Sequence, residues 1–512
     1  MQNLRRKNTR NICWSAGPLS ARATVTSPVA APSSFLAAPN SYQATHPLTR
    51  HAENERLHAY ERGVKSVFDD IVPTLKEISA LQHEVDFEQR AQHIARERFG
   101  CEFPPELLQS AWVKGLDMRA LYAYIVFESA QAMAEDFFTN DPLAGARSEA
   151  FDKFLQACGF HALSVTPCAD GRLAHVISYV LRLPYGAVRR KSSAGAIFDV
   201  EEATEKWVHT EFSRYREANP NSSDASTRYL KMVVYHYSGS DPLHEGCAAH
   251  GSDTRKAAQA GLDRLLAFRT AIENSFCCGA SIDLLLVGLD TDNDEIRIHI
   301  PDAAGNLGLE RTIDAREVYE ATRAMSATEA EIEIERRVRE RSMGGIGETV
   351  PGMRRFITRL LINNIAQLDY VRAYHGGCYQ DIGHYERFIG VGKGFEEVQL
   401  RNLTYFAYLN TVEEGAKDLD VGVKIFTGLN VARGLPIPVV VRFDYDGKVP
   451  GARERAMAHC QQIRAAAYTR YAKLVEEGWL HCLLMVRDRA APQGLEVVAC
   501  SVTDKYRKQE TH

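Results

Sequence analysis

No aspartate or glutamate occurs before Glu53. That opening stretch holds Arg5, Arg6, Lys7, Arg10, Arg22 and Arg50, and Ala, Ser, Pro, Thr and Asn dominate it from Ser20 to Thr49. Such a composition buries too little apolar surface to offset its chain entropy, so the segment reads as disordered when alone. It fits a basic tether that folds onto an acidic partner with Trp14 as an anchor, a solvated tail, or a transit peptide, which has the same composition. The chain also lacks any uncharged apolar run near the roughly 18 residues that a membrane span needs. Its most apolar stretches, such as Ile282–Leu289, are strand-length, which excludes a helical membrane protein. No secretory apolar core is present, and the 11 cysteines are an odd number spread over the chain, which argues for reduced thiols rather than a disulfide framework. A net charge of -5 gives no support for a nucleic-acid binder.

What is present is ordinary globular material. The 512 residues are 45% hydrophobic and 25% charged, too long a chain for a single core. From Glu53 to about Ala150 apolar residues recur at helical spacing, as in Leu57, Tyr60, Val64, Val67 and Ile71, in Phe87, Ala91 and Ile94, and through a long stretch from Leu116 to Phe138. After Phe151, strands alternate with helices. Arg228–His236 reads as a strand, Asp253–Glu273 as an amphipathic helix, and Ile282–Ile300 as a hairpin turning at Asp290–Asp294.

The same order returns near the C-terminus, where Pro436–Phe443 precedes a helix through Ala452–Glu476 and then the strand-like runs Trp479–Val486 and Leu495–Val498. This reads as a diverged internal duplication. Laying Val233–His236 on Val440–Phe443 sets His236 against Phe443. The fold class is therefore α+β and multidomain: residues 1–52 a basic segment, 53–150 a helical domain, 151–395 an α/β domain carrying the site below, and 396–512 its altered copy.

Chemistry gathers in the first copy. Cys168, Asp170 and Arg172 form a Cys-x-Asp-x-Arg run after the strand-like His161–Pro167, and His236 ends the next strand, with Cys247 beyond it. Two thiolates and an imidazole suit zinc, and three protein ligands leave a fourth position for water or substrate. The thiolates neutralise the ion's charge, so its water is harder to deprotonate than at a three-histidine site and a nearby acceptor becomes useful. Asp170, redirected by the turn at Gly171 and held ionised by Arg172, suits that task.

His244 and His250, which flank Cys247, compete as ligands, and a closed Cys₂His₂ structural zinc in a scaffold protein remains open. A zinc deaminase is disfavoured, because the pairing of His-x-Glu with Pro-Cys-x-x-Cys is absent. His175, His244, His250, His375 and His384 are possible proton carriers by residue type alone. Cys158, Cys378, Cys460, Cys482 and Cys500, each set singly among apolar residues, read as core, and the adjacent Cys277 and Cys278 as structural.

Taken together, these motifs and their order resemble the carboxysomal carbonic anhydrases of α-type carboxysomes, a divergent branch of the β-class also called the epsilon class. The resemblance covers the whole chain. It implies a β-carbonic-anhydrase-like zinc domain and a zinc-less C-terminal duplicate, with one Zn²⁺ per chain on Cys168, His236 and Cys247 and with Asp170 and Arg172 as the catalytic dyad. It implies interconversion of CO₂ and bicarbonate beside Rubisco, in the lumen or on the inner shell face of the carboxysome. The implied partners are a second copy, as a homodimer or multiple of dimers, together with Rubisco and shell proteins reached through residues 1–52. Ten residues separate His236 from Cys247, a longer spacer than in the ordinary β-class and one that fits the carboxysomal branch.

Overall fold

The computed structural model describes residues 45–109, 111–140, 148–217, 228–276, 282–343, 347–393, 395–407, 412–491 and 494–507. The expectations for the basic stretch before Thr45, Trp14 included, and for Cys277 and Cys278 lie outside the described residues.

Helices come first: α1 (His51–Asp69), α2 (Ile71–Ala80), α3 (Phe87–Phe99), the short α4 (Pro105–Gln109) and α5 (Ala111–Lys114), and α6 (Met118–Asn140). Along α1 the apolar stripe differs from the expected one by a residue. Val67 is exposed and Phe68 takes the buried place. The helices do not keep a core to themselves. Residues of α1, α2, α3 and α6 join one buried cluster with Phe388, Val440, Leu483 and Met485 of a sheet far along the chain. This explains why α6 is apolar around most of its circumference, since a helix packed on several sides has no wide polar face.

The first α/β region follows as α7 (Ser148–Ala157), β1 (Phe160–Pro167), β2 (Arg189–Arg190), α8 (Val200–Arg216), β3 (Arg228–Tyr237), α9 (Thr254–Phe276), β4 (Ile282–Asp290), β5 (Ile296–His299), β6 (Thr312–Asp314), α10 (Ala315–Thr322), α11 (Ala327–Ser342) and α12 (Pro351–His375). The second comprises β7 (Phe388–Lys393), β8 (Thr404–Ala407), α13 (Val412–Leu429), β9 (Ile437–Tyr445), α14 (Ala452–Arg470), α15 (Ala472–Glu476), β10 (Leu480–Asp488), β11 (Leu495–Cys500) and α16 (Ser501–Arg507). The molecule is thus mixed α and β, with a helical N-terminal region and two mixed sheets. Among the described residues no helix is long and apolar enough to cross a membrane.

Strand order in the first sheet is β2-β1-β3-β4-β5-β6, and in the second β11-β10-β9-β7-β8. Read from the other edge, the second sheet runs β8-β7-β9-β10-β11, which matches the first through β5. The pairing directions match too: β1 is parallel to β2 and β3, β3 to β4, and β5 is antiparallel; in the second sheet β7 is parallel to β8 and β9, β9 to β10, and β11 is antiparallel.

Register corrects the overlay made from sequence. Tyr237 pairs with Asp290 at the end of the first sheet and Tyr445 with Asp488 at the end of the second. The Gly239 N–H donates to Asp290 Oδ1 at 3.1 Å, and the Gly447 N–H to Asp488 Oδ1 at 3.0 Å. His236 therefore falls opposite Asp444, not Phe443. Two adjacent valines in the first run and three in the second made a one-residue slip invisible to sequence matching, and only the cross-strand partners break that tie.

One cysteine departs from its expected burial. Cys158, Cys460, Cys482 and Cys500 are buried, but Cys378 is exposed. Gly376 and Gly377 end α12 in left-handed conformations just before it and turn the chain outward.

Candidate metal centre

The parallel strands β1 and β3 are neighbours, so their carboxyl ends open at the same edge, the usual place for a site on a mixed α/β sheet. Pro167 closes β1, and Cys168 comes next with its N–H donating to the Val234 carbonyl at 3.2 Å. His236 is the penultimate residue of β3. Cys247 caps the single helical turn Ala248–His250 between β3 and α9. Sulfur, imidazole nitrogen and sulfur of Cys168, His236 and Cys247 all lie within 4.8 Å of one another, and all three residues are buried.

The donor set fits a metal ion on grounds beyond proximity. Among the described residues neither ring nitrogen of His236 has a hydrogen-bond partner, although the residue is buried. The Cys168 thiol is driven well up by its hydrogen bond to Cys247 and by burial, while that same bond, outweighing burial, lowers Cys247. Without a cation, only one sulfur of the pair is readily ionised; a dication is what lets both be thiolates.

His244 and His250 do not join this group. His244 is exposed and its Nδ1 stands 2.8 Å from Asp241 Oδ1. His250 Nε2 donates instead to the Gly195 carbonyl at 3.0 Å. Among the described residues the cluster has three donors and no fourth.

Asp170 caps the turn Gly171–Leu173 beside the cluster. It accepts from the Arg172 backbone N–H at 2.9 Å and, in a bidentate pair, from Arg172 Nε at 3.0 Å and Nη2 at 2.7 Å. Arg172 is itself fixed by its Nη1, which donates to the carbonyls of Glu245 at 2.6 Å and Ile382 at 3.0 Å. Burial pushes the Asp170 carboxyl up, but Arg172, His384 and His236 together outweigh it and hold the group well below the ordinary carboxylate range. Asp170 Oδ2 stands 3.5 Å from His236 Nε2, so the ionised carboxylate faces the donor cluster.

Glu386, Asn402 and Phe406 also meet this edge and were not singled out from sequence. Glu386 Oε1 accepts from the Gly171 N–H at 3.0 Å and faces His384 Nδ1 at 2.9 Å. Burial lowers His384, but Glu386 and Asp170 outweigh it and raise the imidazole to about 9. His384 Nε2 lies 3.8 Å from Asp170 Oδ2, and its side chain is 21% exposed, so it stands between the buried carboxylate and solvent. A Cβ on Gly171 would come within 2.4 Å of Glu386 Cγ, which requires glycine there. The second sheet supplies a wall: the N–H groups of Asn402 and Phe406 donate to the carbonyls of Gly171 at 2.9 Å and Ala169 at 3.2 Å. No local pattern marks these contacts, since the partners lie more than 200 residues apart.

Of the sequence candidates, the structure gathers Cys168, Asp170, Arg172, His236, Cys247 and His384 at one edge. His175 is spent elsewhere, with Nε2 2.7 Å from the buried Asp294 carboxylate.

Fold and site together define a mixed α and β protein with a buried group of two cysteines and one histidine that could hold a metal ion, beside an ionised carboxylate. Known proteins narrow that class. Residues 150–384 match the family model for the carboxysome shell carbonic anhydrase catalytic domain, residues 46–138 that for its N-terminal domain, and residues 385–502 that for its C-terminal domain. Among curated relatives, the carboxysome shell carbonic anhydrase of Parasynechococcus marenigrum (strain WH8102) is 56% identical over 471 residues, covering 91% of this chain and 80% of that protein. Its namesake from Prochlorococcus marinus (strain MIT 9313) is 54% identical, with 91% of each chain covered. That of Halothiobacillus neapolitanus is 45% identical, covering 89% of this chain and 90% of the relative. The chain belongs to the carboxysome shell carbonic anhydrases, and it is an enzyme of that kind.

Proposed function

We propose that the chain interconverts CO₂ and bicarbonate inside carboxysomes, supplying CO₂ to Rubisco, with one zinc ion per chain held by Cys168, His236 and Cys247. The observation that carries this reading is the buried trio of donors with an ionised carboxylate pinned beside it. A zinc ion held by these three residues would supply Lewis acidity and would make a nearby water easier to deprotonate. The protein's own residues do the rest. Asp170, kept ionised by Arg172, accepts a hydrogen bond from that water and orients it, and Arg172 cannot swing away because the Glu245 and Ile382 carbonyls hold its outer nitrogen. His384, on the solvent side of Asp170, carries a proton outward.

The second sheet is read as a duplicate of the first that carries no zinc. In the shared register Cys168 falls on Lys393, Asp170 on Phe395, Arg172 on Glu397 and His236 on Asp444. The proposal extends to what the resemblance read from sequence implies: a homodimer or multiple of dimers, a place in the lumen or at the inner shell face, and contact with Rubisco or shell proteins through residues 1–52. Stopped-flow CO₂ hydration by zinc-quantified protein tests the activity. Fast hydration that vanishes in Cys168→Ser supports it, whereas zinc bound without hydration returns the reading to a scaffold with a structural ion.

A further inference from the structure

Between β2 and α8 runs the small-residue loop Ser193-Ala194-Gly195-Ala196. The Gly195 N–H donates to Cys168 Sγ at 3.2 Å. Two side chains hold the peptides on either side of the one that makes this contact. On one side His250, three residues past Cys247, donates from Nε2 to the Gly195 carbonyl at 3.0 Å. On the other, Asp418 of α13 accepts the Ala194 N–H on Oδ1 at 2.9 Å. The loop also has two further anchors along β1, because the Ser193 N–H donates to the Pro167 carbonyl at 3.1 Å and the Ala169 N–H to the Ser193 carbonyl at 3.0 Å.

The backbone there is held in a shape it would not adopt unaided. Gly195 has φ +65°, and a Cβ on it would meet His250 Nε2 at 2.7 Å and Ala249 Cβ at 2.9 Å. Ala196 also lies in the left-handed region, at φ 59°, a conformation that is unfavourable for alanine and persists only where the surroundings impose it. A loop with strained backbone, anchored at Ala194 and Gly195 by two side chains, whose Gly195 N–H meets the Cys168 sulfur, is built to place that N–H.

We infer that Asp418 and His250 are positioning residues that clamp the peptides on either side of Ala194–Gly195 so that the Gly195 N–H donates to the Cys168 sulfur and tunes how much charge that sulfur gives the metal. The inference rests on the proposed metal role of Cys168. It also gives the zinc-less second copy a part in the first copy's chemistry, since Asp418 comes from the C-terminal region. A hydrogen bond to a thiolate withdraws electron density from it, so losing the bond makes the sulfur a stronger donor and the ion a weaker acid.

The test is cobalt(II) substitution of the full-length protein, read by the thiolate-to-cobalt charge-transfer band and by metal affinity. In Asp418→Ala the band moves to longer wavelength, affinity falls by about 10-fold or more, and the pH midpoint of hydration rises. Asp418→Asn, whose amide oxygen still accepts from Ala194, restores all three towards the wild-type values. His250→Ala moves the band in the same direction and carries the test if Asp418→Ala does not fold. A wild-type chain that takes up no cobalt overturns the metal reading, and the clamp with it. Cobalt uptake with a wild-type band in both alanine variants overturns the clamp alone, leaving Asp418 and His250 as contacts that merely join segments.

Discussion

The two sheets carry the same strand order to the same kind of edge, and there they solve opposite problems. In the first, three donors are brought together with no internal cation to satisfy them, and the His236 ring is left without a hydrogen-bond partner among the described residues. In the second, the equivalent edge is already neutralised. Arg442, in the register position of Val234, sends Nη1 to Glu397 Oε1 at 2.5 Å and Nη2 to Glu397 Oε2 at 3.1 Å, and Asp444 lies 3.0 Å from its Nε. Phe395, in the place of Asp170, stacks its ring 4.5 Å from the guanidinium. A buried cation with acidic partners thus sits near the place where the first sheet offers ligands for a metal. The strand framework is indifferent to which of the two it carries. Chemistry resides in a handful of side chains at the strand ends.

The contrast can be broken most drastically at Cys168. Cys168→Ser should abolish both zinc binding and hydration while leaving the second sheet folded, as checked by metal analysis and circular dichroism. The reciprocal change is Arg442→Met, which strips the cation from Glu397 and Asp444. Asp444 keeps Arg487 at 3.2 Å, but burying the Glu397 carboxylate without its cation should cost about 3–5 kcal/mol, measured by urea unfolding, with zinc content unchanged in the folded fraction. Asp170→Asn sharpens the first half of the comparison. It should retain zinc yet slow hydration by about 100-fold, because the amide still fills the space but no longer accepts as an anion.

The smallest effect concerns His384. Its imidazole is raised to about 9 in the folded protein, against an ordinary value near 6.5. Its charged form therefore adds stability that is fully present below about pH 6.5 and is lost as pH rises through about 9. In metal-stripped protein, urea midpoints should fall across that window, and His384→Gln should flatten the fall.

Much of this was legible in the sequence, for physical reasons. Ile282–Asp290 is buried from end to end and Arg228–Tyr237 everywhere but at its two ends, and their largely apolar pattern announces interior strands. A cysteine and a histidine at the ends of adjacent parallel strands must then share an edge. Three things were not legible. The one-residue offset between Phe443 and Asp444 depends on cross-strand partners. The exposure of Cys378 depends on how two glycines end a helix. Glu386, Asn402 and Asp418 reach the site from more than 200 residues away, across a contact between two sheets that no local periodicity encodes. Even Gly195, within 30 residues of Cys168, shows in sequence only as one small residue among several.

The most direct test of the central claim, an open metal centre on the first sheet alone, is zinc K-edge X-ray absorption on the full-length protein with the metal quantified. The account predicts one zinc per chain with two sulfurs, one imidazole nitrogen and one light oxygen donor in its shell. A shell of two sulfurs and two imidazoles would contradict it by showing a closed structural ion. A second zinc that survives in Cys168→Ser would contradict it by showing that the other sheet binds metal after all.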